Sequence, residues 1–137
     1  MTTLAEVRDG LAVRLNTIDG LRVVDYVPDD VPGYPSAVIF PPVGADYRDD
    51  QGLGSFTVEL LVMLMVPATI DRKQRDLYAL LDRTGPSSVF AAVEADRTLG
   101  GLDVDCRVMS ATDPLDRGQM ASTQIFQRAV TVQAIVS

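Results

Sequence analysis

Apolar residues change their spacing several times along this chain, and each change marks an element. Leu4, Val7, Leu11, Leu15 and Ile18 recur at three- and four-residue steps, the repeat of one helix face. Thr3-Leu4-Ala5-Glu6 has the form of a capping box, in which hydroxyl and carboxylate each satisfy a free amide of the first turn. Gly10 weakens this helix slightly, and Gly20 ends it. Leu21 to Val27 is mostly β-branched and apolar, which predicts a strand halted by Pro28-Asp29-Asp30. A Pro- and Gly-containing loop runs to Pro35, and Ser36–Phe40 forms a second strand closed by Pro41-Pro42. Residues 43–54, VGADYRDDQGLG, are polar, acidic and punctuated by glycine. They precede a long strand over Ser55–Val66, so they predict an extended hairpin loop reaching away from the body.

In the second half, a helix is expected from about Ile70 to Arg83, with Asp71 and Gln74 at cap spacing and Thr84-Gly85-Pro86 as its stop. Ser87-Ser88 caps a short alanine-rich helix that Gly100-Gly101 ends. Leu102–Met109 follows as a strand, Ser110–Gly118 as a loop and Met120–Val136 as a long final strand. The order is α-β-β-β-α-α-β-β. Loops rather than crossover helices join neighbouring strands. The expected fold is therefore a single α+β domain over residues 1–137, with a largely antiparallel twisted sheet of about five strands and helices mainly on one face.

Two strands carry more apolar surface than one covered face requires. Phe56, Val58, Leu60, Val62, Leu64 and Val66 make one complete core row. The opposite row begins polar at Ser55, Thr57 and Glu59, then turns apolar at Leu61, Met63 and Met65. Helices covering both sides are one explanation. A subunit interface is the other and the one expected here, because methionine suits adaptable contact surfaces. In the last strand, Val130, Val132, Ala134 and Val136 face one way, with Thr131 and Gln133 on the other. Thr123 and Gln127 extend that second row, which Ile125 and Ala129 interrupt. Uncharged Gln and Thr suit a surface hydrogen-bonded to a neighbour, and a well-covered monomer can show them too.

Charge sharpens the picture. The net charge is −7, which opposes a surface that grips nucleic acid. Asp19, Asp25, Asp29, Asp30, Asp46, Asp49 and Asp50 face only Arg22 and Arg48 within residues 19–50, whereas residues 117–137 hold no acid. The N-terminus lacks the basic-then-apolar order of a signal peptide, and the apolar run Leu60–Val66 is far shorter than the roughly 20 residues of a membrane helix. Folding in a cytoplasm-like compartment is the expectation.

Candidate chemistry is sparse. The chain has no histidine, which removes the commonest general base and transition-metal ligand. Cys106 is the single cysteine and alternates with Leu102, Val104 and Val108, so it reads as a small core side chain. Asp103 and Asp105 share a strand face, which is ordinarily a solvated face rather than a metal site. Asp46, Asp49 and Asp50 with Gly52 and Gly54 suggest a calcium loop but lack its distal glutamate. GLGSF at 52–56 enters a strand rather than a helix, unlike a phosphate loop. No nucleophile, base and orienting group assemble, so neither an enzyme nor a cofactor or metal site is expected.

Three stretches, LNTIDGLRVVDYVPDDV, YPSAVIFPP and GPSSVFAAVEADRTLGG before LDVDCRVM, together with the element order, carry a likeness. The chain resembles the tail terminator proteins of long-tailed phages, especially those of actinobacterial hosts. That resemblance implies a homo-oligomeric ring, typically of six copies, in the virion at the head–tail interface, assembled in the host cytoplasm. Such a ring caps the tail tube protein, ends tail elongation and presents a surface to the head-completion or neck proteins. DNA passes through its lumen without specific binding, and no membrane is involved. An acidic wall fits that passage, since it lowers the affinity of a polyanion.

Under this reading Leu61, Met63, Met65, Gln127, Thr131 and Gln133 are the expected subunit interface. Asp46, Arg48, Asp49 and Asp50 are the expected lumen or ring-contact loop, and the short alanine-rich helix is a spacer. Another neck or tail-completion protein would share these features. A small cytosolic ligand-binding domain or enzyme would need a concave polar site, and native mass separates a monomer of that kind from a ring.

Overall fold

The computed structural model describes residues 2–26, 35–46, 56–67, 71–112 and 125–136. The chain is an α+β protein, and its described residues form one mixed sheet of six strands with three helices. Helix α1 (Leu4–Leu15) opens with the capping box read from the sequence. Thr3 Oγ1 accepts from the Glu6 amide at 3.2 Å, and the Thr3 amide donates to Glu6 Oε1 at 3.3 Å. Strands β1 (Arg22–Val24), β2 (Ser36–Ile39), β3 (Gly44–Asp46) and β4 (Phe56–Pro67) follow. Helices α2 (Asp71–Leu81) and α3 (Val89–Glu94) then lead to β5 (Val104–Thr112) and β6 (Ile125–Val136).

The sheet runs β1-β2-β4-β6-β5, with β3 pairing β4 beside that path. Four of its pairings are antiparallel, and β1 with β2 is parallel. β3 corrects the start of the loop expected at 43–54, whose residues 47–54 lie outside the described residues. β2 covers β4 only from Val62 to Met65, which leaves the same side of Thr57–Glu59 without a partner. Gly44–Asp46 takes that place, and the Val43 amide donates to the Glu59 carbonyl at 2.9 Å. A strand edge left open in mid-sheet is a backbone hydrogen-bonding demand that the nearest chain meets.

Helix α3 is shorter than its alanine-rich sequence suggests. Ser88 is its N-cap, accepting from the Ala91 amide at 3.0 Å while its hydroxyl donates to the Asp82 carbonyl. The helix stops at Glu94 because Asp96 offers the backbone another partner. The Asp96 carboxylate accepts from the Thr98 hydroxyl at 2.6 Å, the Thr98 amide at 3.2 Å and the Gly100 amide at 3.0 Å. Leu99, Gly100 and Gly101 then take φ of 53°, 90° and 94°, which suits the two glycines and strains the leucine. That turn lies hard against α1: a Cβ on Gly10 would sit 2.8 Å from Leu99 Cβ.

The main core lies between the helices and one face of the sheet. Val7, Leu11 and Leu15 of α1, Leu77 and Leu80 of α2, and Val89 and Val93 of α3 pack there. They meet the even-numbered rows of β4 and β6, from Val58 to Val66 and from Val130 to Val136, with Cys106 among them. Arg14 ties α1 to α3, its Nε donating to the Ala92 carbonyl at 3.0 Å.

Candidate interaction face

The other face of the sheet carries the rows that the sequence singled out, and the register brings them together. Leu61 lies opposite Thr131, Met63 opposite Ala129, Met65 opposite Gln127 and Glu59 opposite Gln133. Directly opposed residues of an antiparallel pair share a face, so all six expected interface residues sit on one surface. They divide into an apolar half and a polar half.

Val24, Val38, Leu61, Met63, Met65 and Ala129 form a second buried cluster, with Phe40 packed against it. Leu61 is 5% exposed, Met63 1% and Met65 0% within the single chain. Side chains without accessible area have none left to bury against a neighbour. The subunit boundary expected at Leu61, Met63 and Met65 is therefore corrected to a second interior cluster. Helices do not make that interior among the described residues, because the buried helical residues belong to the first cluster.

The polar half keeps surface. Gln127, Thr131 and Gln133 are half-buried, while Glu59 and Arg107 are exposed. On the β5 side, Thr131 meets Ser110, Gln133 meets Arg107 and Ile135 meets Asp105. Asp105 is held by two arginines, Arg97 at 2.8 Å and Arg107 at 3.0 Å. Asp105 is the carboxylate that the sequence sets on one strand face with Asp103. The amide nitrogen of Gln127 is buried without a hydrogen-bond partner among the described residues. A buried donor in this state carries a desolvation cost of about 1–3 kcal/mol.

In the expected lumen loop, Asp46 is the last residue of β3. Arg48, Asp49 and Asp50 lie outside the described residues.

Cys106 is fully buried in the main core, as its alternation indicated. Burial pushes its thiol from 9.0 up to about 12, the Glu94 and Asp105 carboxylates add to the rise, and Arg97 opposes it. A thiol in this state stays protonated and is a poor nucleophile. The Thr98 hydroxyl first, and then the Gly100 and Thr98 amides, hold Asp96 below its usual 3.8, which marks a turn closure. No group of three potential metal ligands occurs among the described residues. No described helix is long and apolar enough to cross a membrane.

Sequence reasoning missed strand β3, the run of β5 past Met109 to Thr112 where a loop was expected, and a bulge at Met109 between Val108 and Ser110. The bulge had a visible signal. Val104, Cys106 and Val108 alternate, and Met109 breaks the alternation with a second consecutive apolar residue.

The chain matches no protein-family model, and a search of curated proteins finds no significant similarity.

Proposed function

We propose that this chain is a structural virion protein, a tail-terminator-like subunit that forms a ring capping a phage tail tube and docks the neck proteins. The observation that carries the reading is the polar half of the second sheet face. Thr131 and Gln133 of β6 lie beside Ser110 and Arg107 of β5 and Glu59 of β4, and Gln127 lies farther along β6, opposite Met65. This is a broad strip of mostly uncharged hydrogen-bonding groups spanning three strands. Such a strip suits repeated contact between identical copies, where many modest hydrogen bonds set register and few charges need desolvation. The resemblance in the three quoted stretches supports the same reading, and the net charge of −7 suits a lumen that passes DNA without holding it.

With the apolar row turned inward, the subunit boundary moves to Gln127, Thr131, Gln133 and their neighbours on β4 and β5. Native mass spectrometry is expected to give a ring, six copies on the family pattern. Negative-stain imaging with tail tubes is expected to place that ring at a tube end. A chain that stays monomeric at tens of micromolar, and that leaves tube ends bare, overturns the proposal.

A further inference from the structure

β5 is the last strand of the sheet, and no described strand pairs with its outer side. Its first half is covered locally, since the Cys106 amide donates to the Arg97 carbonyl at 2.8 Å. Cys106 lies opposite Ala134, so the pairs that β5 makes with even-numbered β6 residues turn their backbone groups away from β6. After the bulge at Met109, Val108 faces Val132 and Ala111 faces Val130. The amide and carbonyl groups of Val108 and Ala111 therefore point outward. Met109 to Thr112 are all exposed, Met109 by 56%.

Beside this edge lies a cavity of about 290 Å³ lined by Leu80, Leu81, Val89, Phe90, Val108 and Val130. Arg83 lines it too, with its guanidinium 5.3 Å from the centre of the Phe90 ring. Among the described residues no carboxylate forms an ion pair with Arg83. A guanidinium held against an aromatic ring is pre-oriented for a carboxylate.

We propose that the β5 edge from Val108 to Thr112 is a strand-addition site for an extended segment of a partner protein. One apolar side chain of that segment fills the cavity, and a carboxylate beside it meets Arg83. Backbone pairing supplies affinity, while the cavity and the charge supply selectivity. Met109, flexible and exposed at the bulge, adapts to the incoming side chain. A second copy pairing β5 with β5 fits less well. The acid within that strand is Asp105, already engaged by Arg97 and Arg107. The site does not depend on ring formation.

The test uses fluorescence polarisation with two labelled peptides, Thr-Val-Thr-Leu-Thr-Glu-Thr and the same peptide with Lys in place of Glu. The Glu peptide is expected to bind, with the Lys peptide about fivefold weaker or more, the scale of an exposed charge pair. Arg83→Glu is expected to invert that preference. Ala111→Pro, which removes an outward amide, is expected to abolish binding of both peptides with an unchanged circular dichroism spectrum. If Ala111→Pro does not fold, the Arg83→Glu inversion decides. No binding by either peptide at about 1 mM, or a preference that Arg83→Glu leaves unchanged, overturns the proposal. Self-association that Ala111→Pro removes would assign the edge to a second copy and also overturn it.

Discussion

The two faces of the sheet bury side chains in different ways. On one, three helices deliver leucines and valines onto Val58, Leu60, Val62, Leu64 and Val66, a long apolar row of β4. On the other, Leu61, Met63 and Met65 gather with Val24, Val38 and Ala129 in a smaller buried cluster, and the apolar character fades towards Glu59 and Gln133. Branched aliphatics have few rotamers and suit a helix-covered face with fixed partners. Methionine fills irregular space. An apolar row opposite a complete core row is therefore not by itself a docking surface, because a chain can close a second cluster of its own.

Substitutions at paired positions test that contrast. Met63→Glu is expected to have the largest effect, since it leaves an uncompensated charge in the second cluster at a cost of about 3–5 kcal/mol. Urea unfolding should show it, and a folded, soluble Met63→Glu chain that only fails to form rings would return the row to the interface. Next, Leu11→Ala on the helix side is expected to cost about 2–5 kcal/mol. Met65→Leu on the other side, volume-conserving, should stay below about 1.5 kcal/mol. Similar costs for the two would mean that the second cluster is as rigidly packed as the first.

Gly10→Ala examines the close approach behind the helix face. The new Cβ would lie 2.8 Å from Leu99 Cβ and 3.0 Å from the Leu99 carbonyl oxygen. The roughly 1 kcal/mol that alanine gains over glycine in a helix is outweighed by an overpacking cost of about 1–3 kcal/mol against a backbone atom. Thermal unfolding should therefore show a net loss or, at best, no gain.

The remaining effect is confined to alkaline pH. Cys106 has its thiol raised from 9.0 to about 12, so the folded state favours the protonated form. Its contribution is complete below pH 9 and is lost as pH climbs from 9 towards 12. Cys106→Ala should show a shallower decline of stability over that window, whatever its cost at neutral pH.

Much of this was legible because it is local. The Thr3–Glu6 capping box, the Leu4 to Ile18 spacing and the core position of Cys106 need only neighbouring residues and the repeat of one element. The same holds for the α+β class, since element order follows from where the period changes. The end of α3 at Glu94 was also written locally, in Asp96-Arg97-Thr98, but as side-chain hydrogen bonds that an alanine-rich pattern obscures.

Other features depend on residues distant in sequence. β1 runs parallel to β2, and β3 takes the side of β4 that β2 leaves open. The polar row of β6 continues the apolar row of β4 across one face only because Leu61 meets Thr131 and Met65 meets Gln127. Apart from β3, the sequence by itself determined the elements, their order and which rows are apolar, because helix and strand periodicities are set residue by residue. Only the tertiary structure decided that Leu61, Met63 and Met65 close inward and that β5 is left as an edge. Burial and strand pairing are decided by what comes to lie opposite, and an alternation of side chains does not name its partner.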